Sequence, residues 1–337
     1  MHTAEYPSIT RDEAALLART ILTAAGFAAP HVAVMSRNML DAQEQECHSH
    51  GLYRLILCSR AARQGGVDPQ AMPVISDAAA GLVRADAQGG CSLLAFEQSL
   101  DMLTRKARQT GLAALAISNC YHYSALWWEV EQLAAQGFVG LAMTPTHPYV
   151  APFGGTVPLL GTNPLAFSWP RPDGSPPYSF DFATSAAARG EVELKARTGE
   201  ALPEGWSLDA EGNPTTDAEA ALNGALLTFG GHKGSAISTM IELLAGPLIG
   251  EVAGYQTAPA GTDPARRATH GELILAFDPK VFGADFSGAE ALFDQIIGTG
   301  ARLPSQRRQT AGAASANAGK MKIEAGLLAE LRRLAEA

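Results

Sequence analysis

The sequence predicts a mixed α/β fold, and three observations lead to that prediction. A capping box formed by Thr10 and Glu13 opens a run of apolar residues at helical spacing, which ends near Gly26. Helical and strand-like segments then alternate along the first half of the chain. Between Pro145 and Pro214, turn residues are dense and apolar runs are short, which favours β structure with functional loops.

The remaining elements are predicted by the same periodicity rules. Pro30 can open a second helix. Further helical patterns occupy residues 96–110, 127–137, 235–244 and 313–337. Short apolar runs predict strands at residues 112–118, 138–143, 165–167, 179–182 and 273–277. Helices are therefore expected to concentrate at both ends of the chain.

Composition excludes several classes of protein. The 337 residues are 47% hydrophobic and 18% charged, as in ordinary globular proteins, and the length suggests two domains. The net charge of −9 lacks the basic footprint of a nucleic-acid-binding protein. We also expect no membrane span and no signal peptide. The cysteines are scattered without a CxxC pair, which favours reduced thiols and a cytoplasmic location.

The densest cluster of reactive groups is His48-Ser49-His50 with Arg54. If a helical turn passes through this point, His50 and Arg54 lie on one face, where a proton donor beside a guanidinium suits a carboxylate substrate. The structural alternative is a capping histidine and a surface arginine. A zinc site on His48 and His50 would support a hydrolase, but the sequence offers no evident third ligand, so we expect no metal.

Two glycine-containing segments could contact a ligand. The segment 229–235, which contains Gly230 and Gly231 before His232 and Lys233, opens a helix where an anion could bind, although a tight strand-to-helix turn explains it equally well. The chain has neither a Walker sequence nor a G-x-G-x-x-G motif after a strand. The segment 161–164 offers a hydroxyl and an amide in an ordered turn.

Taken in order, four motifs resemble the malate/L-lactate dehydrogenase-like family. They are His48-Ser49-His50-Gly51-Leu52-Tyr53-Arg54, Gly161-Thr162-Asn163-Pro164-Leu165, Asp181-Phe182-Ala183-Thr184-Ser185 and Phe229-Gly230-Gly231-His232-Lys233-Gly234. The first motif, the run Leu126-Trp127-Trp128 before Glu129, and Pro203-Glu204-Gly205 are most similar to the branch that reduces Δ1-piperideine-2-carboxylate and Δ1-pyrroline-2-carboxylate.

This resemblance implies a non-Rossmann nicotinamide-binding domain with a largely antiparallel sheet, plus a helical domain formed by both termini. Residues 1–115 with 290–337 would form the helical, substrate-binding and dimerisation domain, and residues 116–289 the NADP-binding domain. It also implies a homodimer whose active site lies near the subunit contact.

The resemblance further implies roles for individual residues. His50 would donate the proton, Ser49 would orient it, and Arg54 with Thr162 would bind the substrate carboxylate. The family's third relay group, usually aspartate, corresponds to Glu191, whose side chain is longer by one methylene. Ser49 and Glu191 would then favour the charged form of His50.

Cofactor contacts would come from several regions of the chain, with NADPH favoured over NADH because Arg189, Arg307 and Arg308 can pair with a 2′-phosphate. The implied residues are His122, Tyr123, Ser124, Ala125, Leu126, Asp181, Phe182, Ala183, Arg189, Gly190, His232, Lys233, Arg302, Leu303, Pro304, Ser305, Gln306, Arg307 and Arg308.

The function expected from this resemblance is NADPH-dependent reduction of the two cyclic imine acids to L-pipecolate and L-proline. A malate, lactate or ureidoglycolate type of 2-hydroxy-acid dehydrogenase is the alternative within the family. A metal-dependent hydrolase and a non-catalytic binding module are the alternatives outside it.

Overall fold

The computed structural model describes residues 6–257 and 270–336, and it has an α/β architecture. The helices of the described residues are α1 (Arg11–Ala24), α2 (Ala29–Glu44), α3 (Arg54–Arg63), α4 (Ser92–Thr110), α5 (Trp127–Ala135), α6 (Arg189–Thr198), α7 (Ala218–Asn223), α8 (His232–Ala245), α9 (Phe286–Gly298), α10 (Gln306–Ala318) and α11 (Ala325–Glu336). The strands are β1 (Ser8–Thr10), β2 (Val74–Ala79), β3 (Leu82–Asp86), β4 (Leu112–Cys120), β5 (Val139–Met143), β6 (Leu165–Trp169), β7 (Tyr178–Phe182), β8 (Ser207–Leu208), β9 (Pro214–Thr215), β10 (Ala225–Leu226), β11 (His270–Phe277) and β12 (Lys320–Lys322).

The helix and strand starts follow local chemistry where the sequence offers it. Thr10 caps α1 through the predicted capping box with Glu13, and Pro30 lies in the first turn of α2. Strand β4 extends the predicted apolar run to Cys120. The predicted alternation of helix and strand is confirmed from α4 to β5, whereas α3, β2 and β3 were not predicted.

A seven-stranded sheet forms the centre of the molecule, in the order β2-β3-β4-β11-β5-β6-β7. Within this sheet, β3 and β4 are parallel and are connected by α4, and the other neighbouring strands are antiparallel. The strand β11, late in the sequence, lies between β4 and β5 and brings residues from distant parts of the chain together.

Helices cover both faces of this sheet, and side chains alternate between the faces as strand geometry requires. On one face, Leu115 and Ile274 belong to a large core that includes residues of α1, α2, α4 and α5. On the other face, Ala116 and Leu273 pack with Ile241 of α8. Groups at the ends of the central strands are therefore shielded from water on two sides.

The two ends of the chain pack together. Strand β1 pairs with β12, α1 packs against α11, and α10 contacts α2. The sequence predicted one continuous helix over residues 313–337, but the structure divides it. Gly319 ends α10 in a left-handed conformation, and Lys320–Lys322 then pairs with β1.

Two other features of the fold differ from expectation or remain open. Helix α6 lies inside the turn-rich segment 145–214, where no helix was expected, so helices are not confined to the ends. The domain boundaries at residues 115/116 and 289/290 remain a prediction. Residue 115 lies within β4, and the large core contains residues from both sides of that boundary.

Candidate active site

The loop that carries the first motif joins α2 to α3 and is fixed by Gln43 of α2. The buried Gln43 side chain accepts a hydrogen bond from the Leu52 amide at 3.1 Å and donates one to the Lys322 carbonyl of β12 at 2.6 Å. A Cβ at Gly51 would lie 2.4 Å from Gln43 Oε1, so only glycine fits there. The sequence analysis did not identify Gln43, because a lone glutamine within a helix carries no local signal.

The structure brings Ser49, His50 and Arg54 together. The Ser49 hydroxyl lies 2.9 Å from His50 Nδ1, and Arg54 Nε donates to the Ser49 carbonyl at 2.7 Å. His50 lies in the turn before α3 rather than in a helix. Its placement near Arg54 therefore depends on the geometry of the loop and not on the helical i,i+4 spacing. The orienting contact from Ser49 to His50 is present, while its role in catalysis remains a prediction.

The protonation state of His50 differs from expectation. Its pKa is lowered well below the ordinary value, first by burial and then by the charges of Arg54 and His122. In the protein without substrate, burial and positive charge thus favour the neutral imidazole, and the expected effect of Ser49 and Glu191 on the charged form stays a prediction. Glu191 lies exposed in the first turn of α6, and within the described chain no hydrogen bond joins it to His50.

His48 and His50 have different surroundings, which bears on the hydrolase alternative. The Gln43 amide lies 3.0 Å from His48 Nδ1, and the His48 ring is 6.3 Å from that of Tyr6. Among the described residues, no set of potential metal ligands includes His48 or His50. Within the described chain, these two imidazoles are thus not grouped with a third potential ligand.

His50 belongs to a larger group of histidines, which we call the histidine cluster: His50, His122, His147 and His270. The rings of His147 and His270 have centroids 5.1 Å apart. His122 lies close enough to His50 and His270 that its protonated form lowers the pKa of both. Burial lowers the pKa of His122 to about 3, with a further contribution from Arg54, and that of His147 to about 4. Neutral imidazoles beside one guanidinium make a site that suits an anion.

The sequence analysis identified His50 and His122 but missed His147 and His270. His147 lies in the loop after β5 and His270 begins β11, so they are 123 residues apart in sequence. Only the pairing of β11 with both β4 and β5 brings them next to His122. The short polar loop that follows a buried strand was the one available signal for His147.

Thr162 lies in a turn with Gly161, where the packing leaves no space for a side chain at position 161. A Cβ there would lie 2.3 Å from both Thr146 Oγ1 and Asn163 Oδ1. Asn163 has φ of 32°, and its side chain accepts from the Thr146 amide at 2.9 Å and donates to Glu242 of α8 at 2.8 Å. The Thr162 hydroxyl lies 3.2 Å from that of Thr146, the residue before His147. Thr162 is thereby linked to the loop of the histidine cluster.

Two of the predicted cofactor segments meet at the start of α5. Asp181 of β7 accepts a hydrogen bond from the Trp127 amide at 3.0 Å, and burial raises the pKa of Asp181 to about 6. The adjacent segment 122–126 includes Ser124, whose hydroxyl lies 3.3 Å from His122 Nε2. Phe182 is 39% exposed and makes an edge-to-face contact with Phe229.

The predicted anion site at the start of α8 is an exposed helix N-terminus. Gly230 and Gly231 both have positive φ, and a Cβ at Gly234 would lie 2.1 Å from the Phe229 carbonyl. His232 and Lys233 are exposed in the first turn of this 14-residue helix. The tight turn is therefore present, and it leaves His232 and Lys233 accessible, while binding of an anion there stays a prediction.

The basic residues predicted to bind a 2′-phosphate differ in availability. Arg308 is buried, pairs with Glu131, donates to Gln45 and Ser179, and stacks 3.9 Å over the Trp127 ring. Arg189 pairs with Glu193 and lies over the Tyr149 ring. Arg302 and Arg307 are exposed, as are Ala301 and Pro304 in the same turn. Arg308 is therefore occupied by internal contacts, whereas Arg307 is not buried.

Comparison with known proteins assigns the chain to a class. A model of the malate/L-lactate dehydrogenase family matches residues 9–332. Delta(1)-pyrroline-2-carboxylate reductase 1 of Burkholderia ambifaria is 51% identical over 312 residues, 91% of this chain and 92% of that protein. The Delta(1)-pyrroline-2-carboxylate reductase of Pseudomonas fluorescens is 49% identical over 335 residues, 98% of this chain and 99% of that protein.

Structural comparison agrees with the sequence comparison. The crystal structure of delta1-piperideine-2-carboxylate reductase from Pseudomonas syringae has a TM-score of 0.92 and 38% identity, covering 97% of this chain and 99% of that one. The protein is an oxidoreductase. It belongs to the malate/L-lactate dehydrogenase family, which confirms the resemblance of its motifs, and membership implies a nicotinamide cofactor. Within the described residues, no helix has the length and apolar character needed to cross a membrane.

Proposed function

We propose that the protein catalyses NADPH-dependent reduction of Δ1-piperideine-2-carboxylate and Δ1-pyrroline-2-carboxylate to L-pipecolate and L-proline. The observation that carries this proposal is the contact of Ser49, His50 and Arg54 beside the histidine cluster, where a guanidinium and an imidazole can meet one small substrate. Relatives of about half identity support it, two of them named for Δ1-pyrroline-2-carboxylate and one for both substrates.

Arg54 and Thr162 are the proposed carboxylate ligands. Arg54 Nε donates its hydrogen bond to the Ser49 carbonyl. The two terminal nitrogens of the guanidinium can then form paired hydrogen bonds with a carboxylate. The Thr162 hydroxyl can donate to the same group. A substrate carboxylate would also offset the charge that Arg54 exerts on His50.

His50 is the proposed proton-exchanging group. A bound nicotinamide would supply the hydride for C2 of the substrate. His50 donates the proton that the imine nitrogen gains, and Ser49 fixes the ring through Nδ1. When the carboxylate neutralises Arg54, one of the causes of the lowered His50 pKa is offset, so substrate binding raises this pKa while burial still lowers it. Glu191 remains a proposed third group.

The residues present fit an anionic dinucleotide. The exposed α8 N-terminus with Lys233 suits a phosphate, and exposed Arg302 and Arg307 offer cations for the extra phosphate of NADPH. Arg308 contributes by holding the turn 302–308 against α5 and β7 rather than by direct pairing. The segments 122–126, 181–183 and 189–190 complete the proposed cofactor surface.

We propose a homodimer in the cytoplasm. Exposed apolar side chains lie on α8 and in the segment after it, including Met240, Leu243, Leu248 and Tyr255, and the exposed Phe153 of an earlier loop contacts His232 at the start of α8. Their exposure is unusual for large side chains on a free surface, and burial against a second copy would remove them from water. The four cysteines are free thiols, which fits a reducing compartment.

The test is a substrate panel in which loss of cofactor absorbance is followed with NADPH and, separately, with NADH. Both cyclic imine acids should be reduced, with higher kcat/KM for NADPH. Reduction of pyruvate or oxaloacetate in preference to the imines would replace the proposal with the 2-hydroxy-acid dehydrogenase alternative. Absence of turnover with every substrate would favour a binding module.

A further inference from the structure

Behind the histidine cluster, two glutamates share a site from which water is excluded. Glu129 of α5 and Glu272 of β11 are both 0% exposed. Carboxylate oxygens of the two residues and a ring nitrogen of His122 all lie within 4.8 Å of one another. Glu272 is on the face of β11 that also presents Ile274 to the large apolar core.

This arrangement does not fit two charged carboxylates. Neither Glu272 oxygen makes a well-formed hydrogen bond, although the nearby Ser92 side chain acts on this carboxyl group, and Glu129 Oε2 also lacks a partner. No lysine or arginine of the described chain forms an ion pair with either residue. Two buried like charges without a counter-charge are strongly unfavourable, so at least one carboxyl group must carry a proton.

The remaining contact of Glu129 leads towards the active site. The Ser124 hydroxyl donates to Glu129 Oε1 at 2.8 Å and lies 3.3 Å from His122 Nε2. With the retained proton on Glu129 Oε2 or on Glu272, Glu129 Oε1 can only accept, so Ser124 donates its one hydrogen to Oε1 and accepts from Nε2–H of His122. This fixes which ring nitrogen of His122 carries the hydrogen and leaves Nδ1 as an acceptor.

The backbone supports the position of Glu272. The register between β11 and β4 shifts between His270 and Glu272, a bulge of the kind that redirects side chains beside active sites. A Cβ at Gly271 would lie 2.1 Å from the Ala245 carbonyl, so glycine is required at the bulge. Both His270 and Glu272 are thereby fixed near His122.

We propose that Glu129 and Glu272 form a proton-retaining carboxyl pair that acts through Ser124 to position His122 in a single tautomer for the reaction. The role in the reaction rests on the proposed function, whereas the shared proton and the tautomer do not. The pair consists of positioning residues, because neither carboxyl group is exposed to a substrate.

The titration of the pair is set by its surroundings. Burial, and secondly the negative charge of Glu272, raise the pKa of Glu129 well above the ordinary range. Burial also raises the pKa of Glu272, to about 8. The other groups that act on the pair or respond to it are Ser92 of α4, Cys120 of β4, His122 and Tyr123 after β4, and Asp181 of β7.

The first test compares pH-dependent stability of the wild type with that of Glu272→Gln. The folded state retains a proton that the unfolded chain loses near pH 4.5, so wild-type stability falls as pH rises from there to about 8. An amide cannot ionise, so the Glu272→Gln variant should lose this part of the decline. Glu97→Gln, at a solvent-exposed ion pair of α4, is the matched control and should behave as the wild type. An identical decline in the wild type and Glu272→Gln would overturn the shared proton.

The second test measures the tautomer of His122 by nitrogen NMR of histidine-labelled protein, with His122→Asn used to assign the signal. The wild type should show hydrogen on Nε2, and Ser124→Ala should lose that preference. Hydrogen on Nδ1 in the wild type, or an unchanged signal in Ser124→Ala, would overturn the positioning role. Neither measurement requires turnover, so failure here is distinguishable from failure of the proposed function.

The third test addresses the reaction and a competing occupant. With an imine substrate, kcat/KM of the wild type should fall above about pH 8, and in Glu272→Gln kcat/KM should fall less over the same range, relative to that variant's own value at neutral pH. An unchanged alkaline decline would remove the pair from the reaction. A stoichiometric divalent cation in the purified wild type that is absent from Glu272→Gln would overturn the proton-retaining pair in favour of a cation site.

Discussion

Arg54 illustrates how one side chain serves both the fold and the site. Its Nε–H holds the Ser49 carbonyl, and its charge acts on His50 and His122. A lysine at the same position could supply a charge, but it could not bond the loop and present a planar fork to a carboxylate at once.

We therefore expect Arg54→Lys to raise the KM for an imine substrate strongly while leaving cofactor affinity nearly unchanged. Steady-state kinetics and a fluorescence titration of NADPH measure the two quantities. Arg60→Lys, an exposed change in the last turn of the same helix, is the control and should leave both unchanged. An unaltered substrate KM in Arg54→Lys would exclude Arg54 as the carboxylate ligand.

His50→Ala should lower kcat by a factor on the order of 10²–10⁴, the usual contribution of a general acid or base, with NADPH binding intact. His48→Ala is the matched control, because His48 contacts Gln43 instead of the group around Arg54. Glu191→Gln should cause a smaller loss than His50→Ala. Near-wild-type kcat in His50→Ala would return the first motif to a structural role.

Among the elements, the start of α10 shows how neighbouring arginines acquire different roles. Arg308 points into the molecule, where it pairs with Glu131 and stacks on Trp127 of α5. Arg307 lies on the exposed side of the same turn. Adjacent helix positions differ by about 100° in direction, so one arginine of the pair is buried while the other faces solvent.

Replacing both arginines by Ala should erode the NADPH preference, and the single variants should separate two effects. Arg307→Ala should reduce kcat/KM with NADPH more than with NADH and leave stability unchanged. Arg308→Ala leaves Glu131 without its partner and should lower the free energy of unfolding by about 3–5 kcal/mol. Chemical denaturation and two-cofactor kinetics distinguish them. Equal losses with both cofactors in Arg307→Ala would exclude it from phosphate recognition.

For helices and strands, the apolar periodicity of the sequence predicted an element best where that element buries one of its own faces. The start of α1 at its capping box and the course of β4 were predicted from local patterns. Helix α6 and the division of residues 313–337 were not. Strand β12 forms because Lys320–Lys322 pairs with β1 at the opposite end of the chain, a contact that local periodicity does not encode.

Across the whole molecule, neutral histidines link the fold to acid sensitivity. Burial lowers the pKa of His31, His50, His122, His147 and His270, in some cases together with nearby positive charge. The unfolded chain therefore binds more protons than the folded protein below about pH 6.5, and these groups reduce stability as the pH falls through that range.

We expect His147→Gln to lessen this loss. Thermal unfolding between neutral pH and about pH 4 should show a shallower decline than in the wild type, because the pKa of His147 is lowered to about 4 in the folded state. Gln keeps a polar group that can bond the Thr257 hydroxyl. His232→Gln, a change at an exposed histidine, is the control and should follow the wild type. Equal slopes in the wild type and His147→Gln would show that His147 does not contribute to acid sensitivity.

By itself, the sequence determined the α/β class, the family and most of the individual site motifs, because these depend on residue types at short spacing. Tertiary structure decided which groups meet. It placed Gln43 beneath the first motif, brought His147 and His270 to His122, and set Glu129 beside Glu272. It also decided which groups are protonated, because burial and neighbouring charge act through space. Both depend on the position of β11 in the sheet, between two strands that precede it by more than 100 residues.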